Sequence, residues 1–157
     1  MNYYFNQKLE IIRYFKDINS MRNLNVLIID DSVTFIDYLK DLLNQIKAKN
    51  ITTDFVGNST AALHQLKNKD YQLVLVDPHL PDASYKKVIA KIRNLSLNTT
   101  IIVLTKSSTE EEIETFEQFG VVMTILKSEI NSFILKYVIQ IIISFSDTQK
   151  DYLKCLK

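Results

Sequence analysis

The chain has 157 residues, of which 46% are hydrophobic and 24% are charged, and its formal net charge is +1. This length suits one ordinary globular domain with a full core and is too short for two such domains. A net charge near zero gives no general attraction to nucleic acid or to an anionic membrane, so neither is expected as a partner. The one cysteine, Cys155, excludes an internal disulfide and favours a reducing, cytoplasmic location.

The region before the first predicted strand is expected to form an added amphipathic helix. Its first residues lack the basic segment and cleavage site of a signal peptide. The longest apolar stretch of the whole chain, residues 138–145, is far shorter than the ~20 residues that span a bilayer. We therefore expect neither export nor a membrane partner. The apolar residues at helical spacing in this first region are Tyr4, Phe5, Leu9, Ile11, Ile12, Phe15 and Ile18.

Five short segments predict the strands of one parallel sheet. Several of them are unbroken apolar runs rich in valine, isoleucine and leucine, which is typical of strands buried on both faces beneath helices. Residues 51–56 are more polar, so this strand is expected at an edge of the sheet. The five segments are residues 26–29, 51–56, 73–76, 101–104 and 123–126.

An amphipathic helix is predicted after each strand. Ser32 is expected to cap the first helix and the segment 58–60 the second. In the fourth helix the acidic residues 110–112 lie in the first turn, where the helix dipole favours them, and Gly120 provides a stop. The last helix is expected to start near Glu129. The positions expected to face the core in the first, third and fifth helices are Ile36, Leu39, Leu43, Ile46, Val88, Ile92, Leu95, Ile130, Phe133, Ile134, Tyr137, Val138, Ile141, Ile142 and Phe145.

The alternation of strand and helix predicts the fold class. Short connections between parallel strands require right-handed crossovers, with helices on both faces of the sheet. The prediction is an α/β fold, a three-layer α/β/α sandwich around a five-stranded parallel sheet, with an extra N-terminal helix and an extended C-terminal helix. We assign residues 1–23 to the N-terminal helix and linker, 24–143 to the main domain and 144–157 to a helical C-terminal extension. The apolar stripe of the last helix outruns the sheet, so we expect it to form a homodimer or to join an output domain.

Polar side chains follow the strands at the point where each strand ends. Asp30 and Asp31 follow the first, Asp77 the third and Lys127 the fifth, while Thr105 ends the fourth. The carboxyl ends of parallel strands meet at one edge, where ligands bind in open α/β sheets. Three carboxylates gathered there repel one another unless protons or a cation neutralise them, and Mg²⁺ prefers such oxygen ligands. The sequence therefore predicts a magnesium site, with the hydroxyl and ammonium groups placed to meet an anion delivered to Asp77.

This set of residues resembles the receiver (CheY-like) domains of two-component response regulators. The resemblance covers about residues 24–143 and rests on the acidic pair 30–31, Asp77 with Leu80–Pro81 behind it, Thr105 and Lys127. It implies the flavodoxin-like strand order 2-1-3-4-5, which is the order known for the family.

The resemblance also implies a role for each site residue. Asp77 would be the phosphoryl acceptor, and it would bind Mg²⁺ directly together with Asp31. Asp30 would bind Mg²⁺ through water, and the main-chain carbonyl of His79 would supply a further ligand. The groups implied to bind the phosphoryl oxygens are Thr105 and Lys127.

The implied function is that of a phosphoacceptor switch. A histidine kinase or a small phosphodonor would phosphorylate Asp77, and the added charge would change a protein-interaction surface. The chain would not be an enzyme beyond its own phosphorylation and dephosphorylation, although it could regulate a larger enzyme such as a diguanylate cyclase.

Five positions depart from the pattern of this family, one of them Pro78 directly after the acceptor. Thr124 stands where an aromatic switch residue is usual, and Lys106 stands where a small residue is common. Tyr85 replaces a frequent glycine, and Ser128 replaces the proline that often follows the lysine, so a trans peptide bond is expected there. These differences predict a receiver that is phosphorylated but signals through a non-standard surface.

Two alternatives remain open from the sequence. A phosphorylation-independent interaction or dimerisation module would keep the fold without the chemistry, although three clustered carboxylates without an ion are destabilising. A Mg²⁺-dependent phosphatase of the haloacid dehalogenase type would also use a strand-end aspartate. Such enzymes need a second aspartate two residues further on, and that position holds His79 after Asp77 and Ser32 after Asp30.

Overall fold

The structure is a computed structural model that describes residues 23–46 and 50–142. The predicted N-terminal helix and the C-terminal extension lie outside the described residues. The strands are β1 (Leu24–Ile29), β2 (Ile51–Val56), β3 (Leu73–Val76), β4 (Thr100–Thr105) and β5 (Val121–Leu126). The helices are α1 (Val33–Ile46), α2 (Ser59–Asn68), α3 (Tyr85–Leu95), α4 (Glu110–Gln118) and α5 (132–142).

All five strands pair in parallel, in the order β2-β1-β3-β4-β5. The predicted fold class and strand order are therefore confirmed. The strand β3 is buried along its whole length, whereas β2 at one edge is only half-buried, as its more polar sequence predicts. Because β1 and β3 are neighbours, the residues that follow them are brought side by side.

Helices cover both faces of the sheet and divide the core in two. Successive residues of a strand point to opposite faces, so Ile28 belongs to one cluster and Ile29 to the other. Leu39 of α1 and Leu135 of α5 pack in the first cluster. The helices α2, α3 and α4 fill the second, with the fully buried Phe116 at its centre.

The predicted capping signals are present in the loops that follow the strands. Ser32 Oγ accepts a hydrogen bond from Phe35 N at 3.3 Å, so Ser32 caps α1. Thr109 and Glu112 form a reciprocal capping box at the start of α4. Gly120 follows α4 with a φ of 76°, a conformation that side chains other than glycine rarely adopt. Among the described residues no peptide bond is cis, and no helix is long and apolar enough to cross a membrane.

Three of the predicted core positions were wrong. Leu95, at the last position of α3, is 41% exposed because it lies beyond the turns that pack on the sheet. Phe133 and Tyr137 are 75% and 56% exposed, whereas Leu135 and Ile139 are buried instead. The helix α5 carries apolar residues around most of its circumference, so its sequence does not define which stripe faces inward.

The start of α5 was also wrong by about one turn. Asn131 Oδ1 accepts hydrogen bonds from Phe133 N and Ile134 N, each at 3.0 Å, so Asn131 caps the helix. The segment after β5 forms a turn first, closed by a hydrogen bond from Glu129 N to Leu126 O at 2.9 Å. This turn leaves Lys127 at the end of the sheet.

Candidate functional site

An acidic cluster lies at the carboxyl edge of the sheet, where β1 and β3 end. Asp30 and Asp77 are the first residues after these strands, and Asp77 N donates a hydrogen bond to Ile29 O at 2.8 Å. The carboxylates of Asp30, Asp31 and Asp77 each offer an oxygen, and these oxygens lie within 4.8 Å of one another. Asp30 and Asp77 are buried and Asp31 is exposed, so the cluster opens to solvent on one side.

Local turns hold the two buried carboxylates in place. Asp30 Oδ1 accepts a hydrogen bond from Ser32 N at 2.9 Å, and Asp77 Oδ1 accepts one from His79 N at 2.8 Å. Short polar side chains commonly bond the backbone two residues on in this way. In each carboxylate one oxygen is therefore fixed by its own loop, and the other is available to a cation.

Lys127 bridges the two buried carboxylates. Its Nζ lies 2.6 Å from Asp77 Oδ2 and 2.6 Å from Asp30 Oδ2, and its side chain is 7% exposed. The contact with Asp77 is a hydrogen bond, whereas the contact with Asp30 is an ion pair without hydrogen-bond alignment. The aromatic ring of Phe35 lies beneath the ammonium group, with its centroid 4.5 Å from Nζ. Lys127 N donates to Thr105 O at 2.7 Å, which ties the lysine to the end of β4.

The electrostatics show that one ammonium group does not neutralise the cluster. Burial raises the pKa of Asp30, and the ion pair with Lys127 and the hydrogen bond from Ser32 N do not offset it. Burial also acts to lower the pKa of Lys127, but its bonds to the two aspartates outweigh that effect and the pKa is raised. Three carboxylates against one ammonium group leave the ionised cluster with excess negative charge, so a further cation or a proton would be stabilised there.

The donor set fits a hard divalent cation. All three side chains offer carboxylate oxygens, which suit Mg²⁺ and not the softer transition metals. Two of them are buried, and Asp30 Oδ2 accepts no hydrogen bond from the described residues. A Mg²⁺ ion would add positive charge beside this oxygen, which the Lys127 ammonium group balances only in part.

The structure places the other predicted site residues around this cluster. Thr105 is fully buried at the end of β4, but its Oγ1 donates a hydrogen bond to Ser107 O at 2.6 Å and therefore not to an aspartate. His79 lies on the loop after Asp77, with its side chain 51% exposed. The sequence thus brings three carboxylates and Lys127 together, while the Thr105 hydroxyl is engaged in its own loop.

The positions that depart from the family pattern occupy defined places. The ring of Tyr85 packs edge-on against Phe116 of α4, with the two centroids 5.3 Å apart, so its bulk fills the second core cluster. Lys106 is exposed on the loop after Thr105, and Thr124 is half-buried on β5. None of these three residues displaces a carboxylate of the acidic cluster.

Two contacts at the site were not anticipated. Phe35 lies under Lys127, and its position in the first turn of α1, four residues after Asp31, is the signal that could have indicated this. His79 Nε2 lies 3.9 Å from Glu112 Oε1, which links the loop after Asp77 to the first turn of α4. That link joins residues distant in the chain, so no local pattern predicts it.

Comparison with known proteins agrees with the fold. Residues 26–139 match the family described as the response regulator receiver domain. A relative from Bacillus subtilis, a probable C4-dicarboxylate response regulator called DctR, is 28% identical over 102 residues, which are 65% of this chain and 45% of the relative. The chain therefore spans less than half the length of that relative.

Solved structures show the same architecture. A CheY-like receiver domain protein from Methanospirillum hungatei has a TM-score of 0.73 at 20% identity and covers 81% of this chain and 98% of its own. A response regulator from Burkholderia pseudomallei, solved with a phosphorylated aspartic acid, calcium ion and citrate, has a TM-score of 0.64 at 20% identity, covering 82% of this chain and 73% of its own. At these identities the likeness concerns the fold alone. From the family match over most of its length, we conclude that the chain belongs to the response regulator receiver domain family.

Proposed function

We propose that this receiver domain is a phosphoacceptor, with Asp77 taking a phosphoryl group from a histidine kinase or a small phosphodonor. The observation that carries the proposal is the buried carboxylate pair bridged by Lys127 at the ends of two adjacent strands. A phosphorylated aspartic acid in the Burkholderia pseudomallei protein of the same fold supports it by analogy. The partner is then a histidine kinase, and the cellular location that follows is the cytoplasm.

The chemistry would be a phosphoryl transfer to a carboxylate. An oxygen of Asp77 forms a bond to phosphorus while the bond from phosphorus to the donor breaks, and the electron pair leaves with the donor's imidazole nitrogen or acyl oxygen. The product is an acyl phosphate. Because the transition state is loose and its charge is spread, positioning and electrostatic stabilisation provide most of the catalysis. Lys127, already bonded to Asp77, is placed to pair with a phosphoryl oxygen.

Mg²⁺ would be held by Asp31 and Asp77 directly, by Asp30 through water and by the carbonyl of His79. When bound, it would offset the negative charge of the carboxylates and of the incoming phosphoryl group. The need for it follows from the charge excess of the cluster, in which Asp30 has a raised pKa. With the carboxylates so neutralised, Lys127 can exchange a carboxylate partner for a phosphoryl oxygen.

The output would begin at Thr105. Its hydroxyl now donates to Ser107 O, and a phosphoryl group on Asp77 offers a stronger, charged acceptor. Transfer of the hydroxyl to that acceptor would free the carbonyl of Ser107 and let the loop of residues 106–108 move. Since Thr124 provides no aromatic ring to follow this movement, we propose that the signal leaves through this loop and α4.

Intact mass spectrometry after incubation with acetyl phosphate or phosphoramidate tests the phosphoacceptor role. We expect one phosphoryl adduct that requires Mg²⁺ and is absent from Asp77→Asn. Asp37→Asn is the matched control, since Asp37 is an exposed aspartate on α1 and should leave the adduct unchanged. An adduct that persists in Asp77→Asn would show that the acceptor is another residue.

The second candidate is a phosphorylation-independent interaction module. It is favoured by the engaged Thr105 hydroxyl and by Lys127, which already occupies Asp77 Oδ2. Mg²⁺ binding without any adduct would support this reading over the first. No observation favours a phosphatase.

The boundaries and partners of the domain are part of the same proposal. We place the receiver at residues 24–143, just outside the family match of 26–139, with a helical segment on either side. Because the chain spans 45% of the length of its Bacillus subtilis relative, an output domain joined through the C-terminal helix, or a homodimer formed by it, belongs to this proposal as well.

A further inference from the structure

The loop that follows Asp77 is tied to α2 by one side chain, Asp82. Asp82 Oδ1 accepts a hydrogen bond from Ser59 N at 3.0 Å, and Asp82 Oδ2 accepts from Ser59 Oγ at 2.8 Å. Oδ2 also faces Thr60 N at 3.2 Å and Thr60 Oγ1 at 3.3 Å. A carboxylate from the β3–α3 loop is thus bound by both residues that begin α2.

These contacts complete the first turn of α2. The first amide groups of a helix have no partner within the helix and must be satisfied from outside. Asn58 Oδ1 accepts from Ala61 N at 2.8 Å, and Asp82 takes the two amides before it. The negative charge of Asp82 also suits the positive end of the helix dipole. The hydrogen bonds from Ser59 lower the pKa of Asp82 to about 2, so the tie is fully charged at neutral pH.

The start of α2 adjoins the acidic cluster from the other side. Asp30 N donates to Val56 O at 3.0 Å, and Val56 ends the strand that leads into α2. The next residue, Gly57, is also close to Asp30, since a Cβ atom added to this glycine would lie 3.8 Å from Asp30 O. The turn before α2 therefore contacts Asp30, while the loop that carries Asp82 starts at Asp77.

We propose that Asp82 is a positioning residue that fixes the loop after Asp77 relative to Asp30 and so sets the affinity of the acidic cluster for a divalent cation. The inference rests on the proposed function, because it takes this cluster as the cation site. Asp82 does not touch the cation. It acts through the loop between Asp77 and Asp82. This loop contains the main chain of His79 and two prolines, which restrict the conformations that the loop can adopt.

Mn²⁺ binding, followed by the electron spin resonance signal of the free ion, tests the proposal. Asp82→Ala should weaken Mn²⁺ binding by about 10-fold, the lower end of the loss expected when a group that orients metal ligands is removed. Asp82→Asn keeps an oxygen that can accept from Ser59 N, so its loss should be intermediate. Phosphorylation of Asp82→Ala by acetyl phosphate should be slow at limiting Mg²⁺ and within about twofold of the unmodified chain at saturating Mg²⁺, since only binding of the ion is affected.

Tyr71→Phe is the matched control for a loss of stability alone. Tyr71 donates a hydrogen bond to Asp54 and is buried, but it precedes β3 and so lies at the opposite edge of the sheet from Asp77. We expect it to lower the melting temperature and to leave Mn²⁺ binding unchanged. Equal Mn²⁺ affinity in Asp82→Ala and the unmodified chain would overturn the proposal and leave Asp82 as a helix cap only.

Amide hydrogen exchange of the metal-free protein separates this proposal from the proposed function. Asp82→Ala, or Asp82→Asn if the first variant does not fold, should speed exchange at the amides of residues 79, 80, 82 and 83, the non-proline residues of this segment. Unchanged exchange there would overturn the positioning role whatever the metal result. If the unmodified chain binds no Mn²⁺, the proposed function fails, and the claim about cation affinity fails with it.

Discussion

Replacement of Lys127 by methionine tests whether its ammonium group holds two buried carboxylates together in the metal-free protein. Methionine keeps most of the apolar length of the side chain over the Phe35 ring and removes only the charge. Asp30 and Asp77 would then face each other, buried, without a cation between them. We expect a large loss of stability in the absence of Mg²⁺.

The size of this loss can be bounded from the structure. Removing one partner from a buried charge pair costs about 3–5 kcal/mol, and both contacts of Lys127 are buried. The variant can instead protonate one aspartate, which costs about 4 kcal/mol at pH 7, since each pH unit above the ordinary pKa is worth about 1.4 kcal/mol. The smaller of these two costs sets the loss, so we expect about 3–4 kcal/mol, or a melting temperature lower by roughly 10 °C. The loss should shrink toward pH 5, where protonation of an aspartate costs less.

Urea unfolding with and without Mg²⁺ measures these quantities. Lys40→Met is the control, because Lys40 pairs with Asp37 on the exposed surface of α1 and such pairs contribute about 0.2–1 kcal/mol. Mg²⁺ at about 100 times its dissociation constant adds about 2.7 kcal/mol to any variant that binds it. At one Mg²⁺ concentration Lys127→Met should gain more than Lys40→Met, because no ammonium group then competes with the ion for the two buried carboxylates. Two results would refute the reasoning: equal losses in the two variants without Mg²⁺, or a difference between them that Mg²⁺ does not reduce.

Two further substitutions test the electrostatics by their pH dependence. Burial raises the pKa of Asp30, so its charge opposes folding increasingly as pH rises above the ordinary value. Asp30→Asn should therefore stabilise the metal-free protein at pH 7 in urea unfolding and reduce the gain from Mg²⁺. A stability equal to that of the unmodified chain at every pH would contradict this. The hydrogen bond from Lys69 lowers the pKa of Asp54. The ionised carboxylate therefore stabilises the folded protein above its ordinary pKa of about 3.9, and this stabilisation is lost as pH falls through the lowered value. Asp54→Asn should therefore lower the urea midpoint at pH 5 and change it much less at pH 3, and a uniform shift would show that the charge of Asp54 is not responsible.

The fold was predictable because the signals for it are local and agree with one another. Short apolar runs in alternation with capped amphipathic segments leave one class of architecture, and the parallel sheet follows. The errors fall where the local signal is ambiguous. In α5 the apolar residues surround the helix, so Phe133 was assigned to the core, and it is Leu135 that packs there. Which stripe faces inward depends on where Asn131 starts the helix, and that is set by the turn after β5.

The candidate site was predictable to the level of its residues but not of its contacts. Strand ends place Asp30, Asp77 and Lys127 at one edge, and this required only the strand assignments. Their pairing at 2.6 Å could not be predicted from the sequence, since it depends on the buried path of the lysine from β5 across the end of β4. The hydroxyl of Thr105 illustrates the same limit. Its position was predicted, whereas its acceptor, Ser107 O, is chosen by the local turn.

Lys127 and a bound cation would act on the same carboxylates, and this bears on how the site could switch. In the metal-free structure the ammonium group pairs with both buried aspartates, so Asp77 Oδ2, the oxygen that accepts its hydrogen bond, is held and partly neutralised. A cation on the cluster would weaken the hold of Lys127, and a phosphoryl group on Asp77 would offer that lysine new oxygens. Each step exchanges one ionic partner for another and leaves no buried charge unpaired. This keeps the free-energy cost of the exchange low in a desolvated site. The loop tied by Asp82 would keep Asp77 and Asp30 close enough for these exchanges to remain local.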